Sequence, residues 1–406
     1  MTGGLNFTFA PPSRLVTSFF ILGSFFYFVG ALLFFNIDFL NVYYLEPKAV
    51  GFMHIFLVGF MISVIFGAMY QLISVVLEIP LYSNDLAYTH LVLFGVGAIA
   101  FFSAFANDGI FEYLGYGSTI LYISFLLYII NVLLSIKNVK KFEIKAFFVT
   151  AAHIILFIGV TYGLLSSLGL VHSNLNFDTI NLAHSHIILV LFGFAGGLIM
   201  IIATVLLPMF MLSHNFNKKI TNYAFVGVIL SSLFAIFEWY LLAKVVMMAT
   251  IFIFSYQLYD IYKKRIRKLT DIYSINMMTS MGFMIASALL IPFLSNEIVL
   301  KLFMIFLVFG VISSFVVGHI YKIVPFLVWN EKFAPLVGKQ KIPMLADMVH
   351  EKGSYFEYKA KMATILFLTF GIFFGSSIII TLGKLAFLVN ALAVVANVIY
   401  IFRYKG

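Results

Sequence analysis

The sequence predicts an all-α integral membrane protein of about twelve transmembrane helices. Of its 406 residues, 63% are hydrophobic and 10% are charged, and the mean hydropathy is +1.08, which is typical of polytopic membrane proteins. A helix needs about 20 mostly apolar residues to cross a bilayer. Such runs lie near residues 15–39, 49–77, 86–106, 111–135, 146–170, 178–212, 220–242, 244–261, 271–294, 299–328, 361–382 and 384–402. We expect one transmembrane domain over residues 1–406, with the lipid bilayer as its main partner.

The basic residues predict the orientation of these spans. With a cytoplasmic N-terminus, only four of the 25 lysines and arginines would lie on the outer side: Lys48, Lys244, Lys301 and Lys384. Because cytoplasmic loops are enriched in Lys and Arg, both termini are predicted to be cytoplasmic, in a bacterial inner membrane. The net charge of +9 then reflects topology, and nucleic-acid binding is not expected. Residues 330–358 are predicted to form a cytoplasmic loop between helices 10 and 11, and Lys361 is counted on the same side.

Glycine spacing predicts an internal repeat. Helices 2 and 10 share the pattern G-x7-G-x2-Y, and helix 6 carries a looser copy. The copies are Gly59, Gly67 and Tyr70 in helix 2, Gly310, Gly318 and Tyr321 in helix 10, and Gly193, Ile201 and Thr204 in helix 6. The pattern favours three pseudo-equivalent four-helix units. The alternative is that small residues only permit close packing of membrane helices.

Six histidines in or beside the apolar spans fall into two layers. The outer layer is His54, His184 and His186, and the inner layer is His90, His153 and His319. Ionisable side chains at membrane depth are costly and suggest function. For each histidine the alternative is a hydrogen bond between helices. We expect the outer layer to hold a metal or haem, and we consider a second site or a packing role for the inner layer.

The outer pair on helix 6 points in two directions. Residues two apart on a helix diverge by roughly 200°, so His184 and His186 would face different neighbours, and one of them could meet His54 of helix 2. Two imidazoles from facing helices suit the axial positions of a haem iron, and the same groups could hold copper or zinc. The chain has no cysteine, which excludes thiolate ligands and disulfides.

Two groups of residues resemble the catalytic subunit of the haem-copper oxidases, in particular the C-type oxidases. In helix 2 they are His54, Gly59, Gly67 and Tyr70. In helix 10 they are Gly318, Tyr321, Pro325 and Trp329. Length and helix number are also similar to the NnrS family, which is linked to haem, copper and nitric oxide stress. The resemblance implies a haem-copper oxidase subunit I-like fold, with His54 as a low-spin haem ligand and His184 or His186 at the helix 6 metal-ligand position.

Departures from the oxidase pattern exclude its full chemistry. Oxidases place a His-x-His pair in helix 10, where this chain has Phe303 and Ile305, and their paired copper histidines of helix 7 are missing from residues 220–243. The resemblance therefore does not imply oxygen reduction to water. Lysines at positions 48, 301 and 384 replace the arginines that bind haem propionates in the family, and they lack the bidentate fork of arginine.

The leading functional hypothesis is a haem-binding membrane protein of the haem-copper oxidase superfamily that lacks a complete oxygen-reducing haem-copper centre. It would hold haem b, with copper as a second option, and would serve electron transfer with a redox partner or the binding of a small gas such as nitric oxide. The alternative is a transition-metal or haem transporter or chaperone with histidine stations near both membrane faces. A third hypothesis is a structural or assembly partner whose histidines have no ligand.

Overall fold

The computed structural model describes residues 9–266, 268 and 270–405, and these residues form helices and no β-strand. We label the twelve long helices of this part of the chain α1 to α12. They are α1 Ser13–Leu33, α2 in the pieces Pro47–His54, Ile55–Ile62 and Ser63–Val76, α3 Asn84–Ala106, α4 Leu114–Ile136, α5 Ile144–Val171, α6 in the pieces Thr179–Ile187, Ile188–Gly196 and Gly197–Met211, α7 Lys219–Ile236, α8 Tyr240–Lys263, α9 Ile272–Leu290, α10 in the pieces Glu297–Ile305, Phe306–Ser313 and Ser314–Lys332, α11 Glu351–Phe373 and α12 Ser377–Arg403.

The helices confirm the predicted class of an all-α integral membrane protein. Eleven helices among the described residues are long and apolar enough to cross a membrane. The twelfth long helix, α11, carries five charged residues in its first half, which are Glu351, Lys352, Glu357, Lys359 and Lys361. Its second half, from Met362 to Phe373, has none.

The middle piece of α2, α6 and α10 is π-helical. These three pieces contain Gly59, Gly193 and Gly310, the first positions of the predicted repeat. Insertions of this kind are uncommon and often mark functional sites. Three insertions in the same register support the equivalence of helices 2, 6 and 10 that glycine spacing predicts.

The chain divides into two compact units. Unit one comprises Met69–Leu269 together with Met1–Pro11, and unit two comprises Pro12–Ala68 together with Thr270–Gly406. Unit one therefore holds the end of α2 and α3 to α8. Unit two holds α1, most of α2, and α9 to α12.

Close helix contacts in unit one depend on two glycines. A Cβ at Gly97 of α3 would lie 2.7 Å from the backbone nitrogen of Leu121 on α4. A Cβ at Gly117 of α4 would lie 2.7 Å from the backbone nitrogen of Phe101 on α3. The two backbones therefore touch directly, the packing that small residues permit in membrane helices.

The last two helices of unit two start earlier than the sequence predicts. Helix α11 begins at Glu351 and α12 at Ser377, against predicted starts near 361 and 384. The end of the predicted loop 330–358 is therefore the beginning of α11, and the connection between α10 and α11 is shorter. For α11 the physical reason is that Glu357 and Lys361, whose charges suggest solvent exposure in the sequence, form an ion pair inside the unit.

Candidate functional site

The three outer histidines lie next to the π-helical pieces. His54 is the last residue before the π-helical piece of α2, in unit two, and His184 and His186 lie in the turn before that of α6, in unit one. All three side chains are partly buried. The predicted meeting of His54 with a helix 6 histidine stays a prediction.

A backbone carbonyl fixes the tautomer of His54 and of His186. Nδ1 of His54 lies 2.8 Å from the carbonyl oxygen of Val50, and Nδ1 of His186 lies 2.8 Å from that of Gly159 on α5. A carbonyl only accepts hydrogen bonds, so Nδ1 carries the proton and Nε2 carries the lone pair of the neutral ring. Metal-ligating histidines are usually oriented in this way by their second nitrogen.

The two helix 6 histidines have different neighbours, as the two-residue spacing predicts. The ring of His186 packs on α5, where a Cβ at Gly163 would lie 2.7 Å from Nδ1 of His186. The ring of His184 stacks edge-on against Tyr240 of α8, with 5.7 Å between ring centroids. Gly163 therefore leaves the room that the His186 ring occupies.

Each inner histidine is buried and faces a tyrosine hydroxyl. In unit one, Nδ1 of His90 lies 2.8 Å from the hydroxyl of Tyr70, and Nε2 of His153 lies 3.1 Å from that of Tyr128. In unit two, Nε2 of His319 lies 3.5 Å from the hydroxyl of Tyr273. These contacts favour packing and interhelical hydrogen bonding over a second metal site, the two readings that the sequence leaves open.

In two inner histidines, Nδ1 also forms a hydrogen bond with a backbone carbonyl one helical turn earlier. The carbonyl belongs to Val149 for His153 and to Phe315 for His319. Nε2 is then the acceptor, and the tyrosine hydroxyl donates to it. In His153 and His319 the nitrogen that would bind a metal thus already accepts a hydrogen bond.

Two of the lysines considered for haem propionates bind the backbone of a loop instead. Nζ of Lys301 donates to the carbonyl oxygen of Leu40 at 2.5 Å. Nζ of Lys384 donates to that of Ile37 at 2.6 Å. Lys48 is exposed. Two of the expected propionate partners, Lys301 and Lys384, thus hold the segment after α1.

Within the described residues, no three histidine, aspartate or glutamate side chains converge on a point where a metal ion could bind. Unit two has a mainly apolar cavity of about 80 Å³ at the N-terminal end of α2 and α10, lined by residues that include Phe34, Ile37, Phe52, Met53, Lys301 and Ile305. This volume is well below the roughly 300–1,000 Å³ of ligand pockets.

Unit two contains a buried charged pair that the hydropathy pattern does not predict. The side chains of Glu357 and Lys361 are fully buried, and Nζ of Lys361 lies 3.5 Å from Oε1 of Glu357. Nζ also donates to Oδ1 of Asn276 on α9 at 2.5 Å. Asn390, at the middle of α12, donates from Nδ2 to Oε1 of Glu357 at 2.7 Å and to its backbone oxygen at 2.9 Å.

Hydrogen bonds extend this pair in two directions. On one side, the hydroxyl of Tyr27 on α1 donates to Oδ1 of Asn390 at 2.6 Å and lies 2.8 Å from the hydroxyl of Ser313. On the other side, Tyr321 of α10 donates to Oε2 of Glu357 at 3.4 Å and accepts from Nδ2 of Asn397 at 2.9 Å. We call Glu357, Lys361 and the side chains joined to them in this way (Tyr27, Asn276, Ser313, Tyr321, Asn390 and Asn397) the unit-two polar network.

Two signals in the sequence could have indicated this network. Glu357 and Lys361 are four residues apart, with the glutamate first, the order that places opposite charges together on one helix face. Asn276, Asn390 and Asn397 are amides within otherwise apolar spans, where a polar group needs a partner.

Comparisons with known proteins give no family assignment. No protein-family model and no curated protein sequence matches the chain.

Proposed function

We propose that this chain is a haem-binding integral membrane protein of the haem-copper oxidase type without a complete oxygen-reducing centre. It would lie in a bacterial inner membrane with both termini in the cytoplasm. The supporting observation is the anchoring of His54 and His186, each of which has Nδ1 on a backbone carbonyl and the lone pair on Nε2. Each imidazole thus has the tautomer that an axial ligand needs.

The number of available ligands supports haem over a copper or zinc ion bound by protein alone. Protein zinc sites use three or four side-chain ligands, and within the described residues no three suitable side chains converge. A porphyrin supplies four nitrogens itself, so one or two histidines complete the iron coordination. When bound, haem would supply a redox-active iron for electron transfer or for binding a small gas such as nitric oxide.

The alternative of a metal or haem transporter with two histidine stations has less support. It needs inner histidines that can take up a ligand, whereas His90, His153 and His319 each face a tyrosine hydroxyl in the helix packing. Metal uptake that depends on both histidine layers would reverse this preference.

Visible spectroscopy of the purified protein tests the proposal. We expect a Soret band in the oxidised protein and α and β bands after reduction with dithionite. Perturbation by carbon monoxide or nitric oxide would indicate gas binding, and unchanged spectra would indicate electron transfer. A featureless spectrum after expression with ample haem would refute haem binding.

Histidine variants test the ligand assignments. We expect His54→Ala and His186→Ala to lose or shift haem absorbance, and His184→Ala to have a smaller effect because its ring faces Tyr240. His214→Ala is the matched control, since His214 is exposed outside the long helices. Full absorbance in both His54→Ala and His186→Ala would remove these two ligands from the proposal.

A further inference from the structure

The carboxylate of Glu357 has few short hydrogen bonds for a buried charge. Nδ2 of Asn390 lies 2.7 Å from Oε1, but Lys361 is 3.5 Å away and Tyr321 is 3.4 Å away. Charge-assisted hydrogen bonds are usually about 2.7–2.9 Å long. The pair therefore holds the charge of Glu357 weakly, and Oε2 has only the long contact with Tyr321 in the polar network.

Lys361 keeps a strong partner that does not depend on Glu357. Its Nζ donates to Oδ1 of Asn276 at 2.5 Å, and Nδ2 of Asn276 is bound to the carbonyl oxygen of Ile272. The amide is thus oriented with its oxygen toward the ammonium. A change in the charge of Glu357 would leave this hydrogen bond in place.

Stability alone does not explain this pair. Replacing a buried ion pair with apolar side chains of similar volume is often neutral or stabilising. Ionisable groups inside a membrane commonly mark proton relays and ion pathways. The arrangement of Glu357 and Lys361 therefore calls for a functional reason.

Polar groups lie between Glu357 and the end of unit two that carries the C-terminus. His350 is exposed at the start of α11, and its Nδ1 accepts a hydrogen bond from the backbone of Gly353 at 2.9 Å. A Cβ at Gly353 would overlap with Oδ1 of Asn397 and would lie 2.7 Å from Nδ1 of His350. Gly353 thus leaves room for both side chains, and hydrogen bonds run from Asn397 to Tyr321 and from Tyr321 to Glu357.

The hydrogen-bonded groups of this set reach deep into the helices. Asn397 and Asn390 are seven residues apart on α12, which corresponds to about 10 Å along the helix axis. Asn390 lies midway between Ser377 and Arg403, the ends of α12. Glu357, whose backbone oxygen accepts from Asn390, therefore lies level with the middle of α12. The exposed His350 at the start of α11 carries an imidazole, the side chain that exchanges protons most readily near neutral pH.

We propose that Glu357 is a buried proton-binding site, loaded from the His350 end of unit two, past Asn397 and Tyr321. In the loading step Oε2 of Glu357, which lies beside the hydroxyl of Tyr321, takes up one proton that comes from the aqueous phase at that end. The carboxylate becomes a carboxylic acid, and Lys361 remains an ammonium bound to Asn276. The site gains one proton and one positive charge, with no oxidation or reduction.

Among the described residues, the titratable groups that face Glu357 come from three helices. Lys361 lies on the same helix, Tyr27 on α1 and Tyr321 on α10. Helices α9 and α12 contribute the uncharged amides Asn276, Asn390 and Asn397. Lys361 is thus the one charged partner of Glu357 in the polar network.

Infrared spectroscopy of the full chain in liposomes tests the site directly. A protonated carboxylic acid has a C=O stretch that is absent from carboxylate. We expect lowering the pH to produce such a band in the wild type, and Glu357→Gln to lose it. Glu351→Gln, which removes an exposed glutamate of the same helix, should leave the band unchanged.

The double variant Glu357→Gln with Lys361→Met guards against misfolding of the single variants, since it leaves no unpaired charge. It should fold and lack the band. An identical pH-dependent spectrum in the wild type and this double variant would overturn the proposal and leave a purely structural ion pair. The outcome is independent of haem binding, which the visible spectrum reports separately.

The rate of loading after a pH jump tests the route. Tyr321→Phe removes the hydroxyl beside Oε2 of Glu357 and should slow the appearance of the band, while its final size is kept. Gly353→Ala should also slow it, because the added methyl group meets His350 and Asn397. Loading at the wild-type rate in both variants would overturn the route.

Discussion

The two units bury polar groups in different ways. Unit one pairs neutral groups, as in His153 with Tyr128, where each ring nitrogen of the histidine has one partner at 2.7–3.1 Å. Unit two buries opposite charges on Glu357 and Lys361 at 3.5 Å. A neutral pair satisfies its hydrogen bonds at little desolvation cost, whereas a buried charge depends on its counter-ion. Unit one thus orients helices with neutral groups, whereas unit two holds a buried ion pair.

The largest expected effect is the loss of one charge from the unit-two pair. Lys361→Met leaves the Glu357 carboxylate buried without its counter-ion, and breaking such a pair costs about 3–5 kcal/mol. Thermal unfolding in mild detergent should show a large drop in the midpoint. The matched control is Lys359→Met, which removes an exposed lysine of the same helix and should change the midpoint little.

The comparison predicts that the effects of the two unit-two substitutions do not add. Adding Glu357→Gln to Lys361→Met should recover most of the lost stability, because no unpaired charge remains. A double variant that is less stable than either single variant would show that the two side chains act independently, and would remove the contrast between the units.

The second effect is smaller and concerns the neutral pair of unit one. Tyr128→Phe removes the hydroxyl that donates to Nε2 of buried His153, and an unsatisfied buried acceptor costs about 1–3 kcal/mol. The same unfolding experiment should show an intermediate shift. Tyr122→Phe, on the same helix, is the control, because the Tyr122 hydroxyl pairs with Thr161 in a partly exposed position. A Tyr128→Phe shift as large as that of Lys361→Met would contradict the distinction between neutral and charged pairs.

Much of the fold is predictable because hydropathy reports burial in the membrane. The glycine repeat even marks the register of the three π-helical pieces at Gly59, Gly193 and Gly310. Hydropathy fails at the start of α11, where Glu357 and Lys361 resemble a solvated loop until the partners on α9 and α12 are known. Charged residues are rarely fully buried unless paired, and pairing across helices is a property of the tertiary structure.

The histidine layers show the same limit in finer detail. The sequence places His54, His153, His186 and His319 within apolar spans, but the role of each ring depends on the partners of its two nitrogens. For His186 one of these partners is the carbonyl of Gly159 on another helix, and for His153 one is the hydroxyl of Tyr128. Spacing along one helix contains no information on these partners, so a candidate ligand and a packing residue look alike in sequence.

The smallest expected effect comes from a half-exposed ion pair in unit two. Oδ2 of Asp271, the residue before α9, lies 2.8 Å from Nζ of Lys322. Oδ1 of Asp271 accepts a hydrogen bond from the backbone nitrogen of Ser274. Burial raises the pKa of this carboxyl, but the hydrogen bond and charge of Lys322, together with Ser274, outweigh it and hold the pKa below its ordinary value of 3.8. Partly exposed pairs of this kind contribute at most about 1 kcal/mol.

The sign of this pH dependence follows from the lowered pKa. Because the folded carboxyl has the lower pKa, its stabilisation is present above the ordinary value and is lost as the pH falls through the folded value. Asp271→Asn keeps a residue suited to the start of a helix and removes the charge. We expect it to lower the thermal midpoint slightly at neutral pH and to match the wild type in strong acid. An equal difference in thermal midpoint between Asp271→Asn and the wild type at every pH would mean that the Asp271 charge does not contribute to stability. Burial would then not rank the stabilisation by carboxylate–lysine pairs.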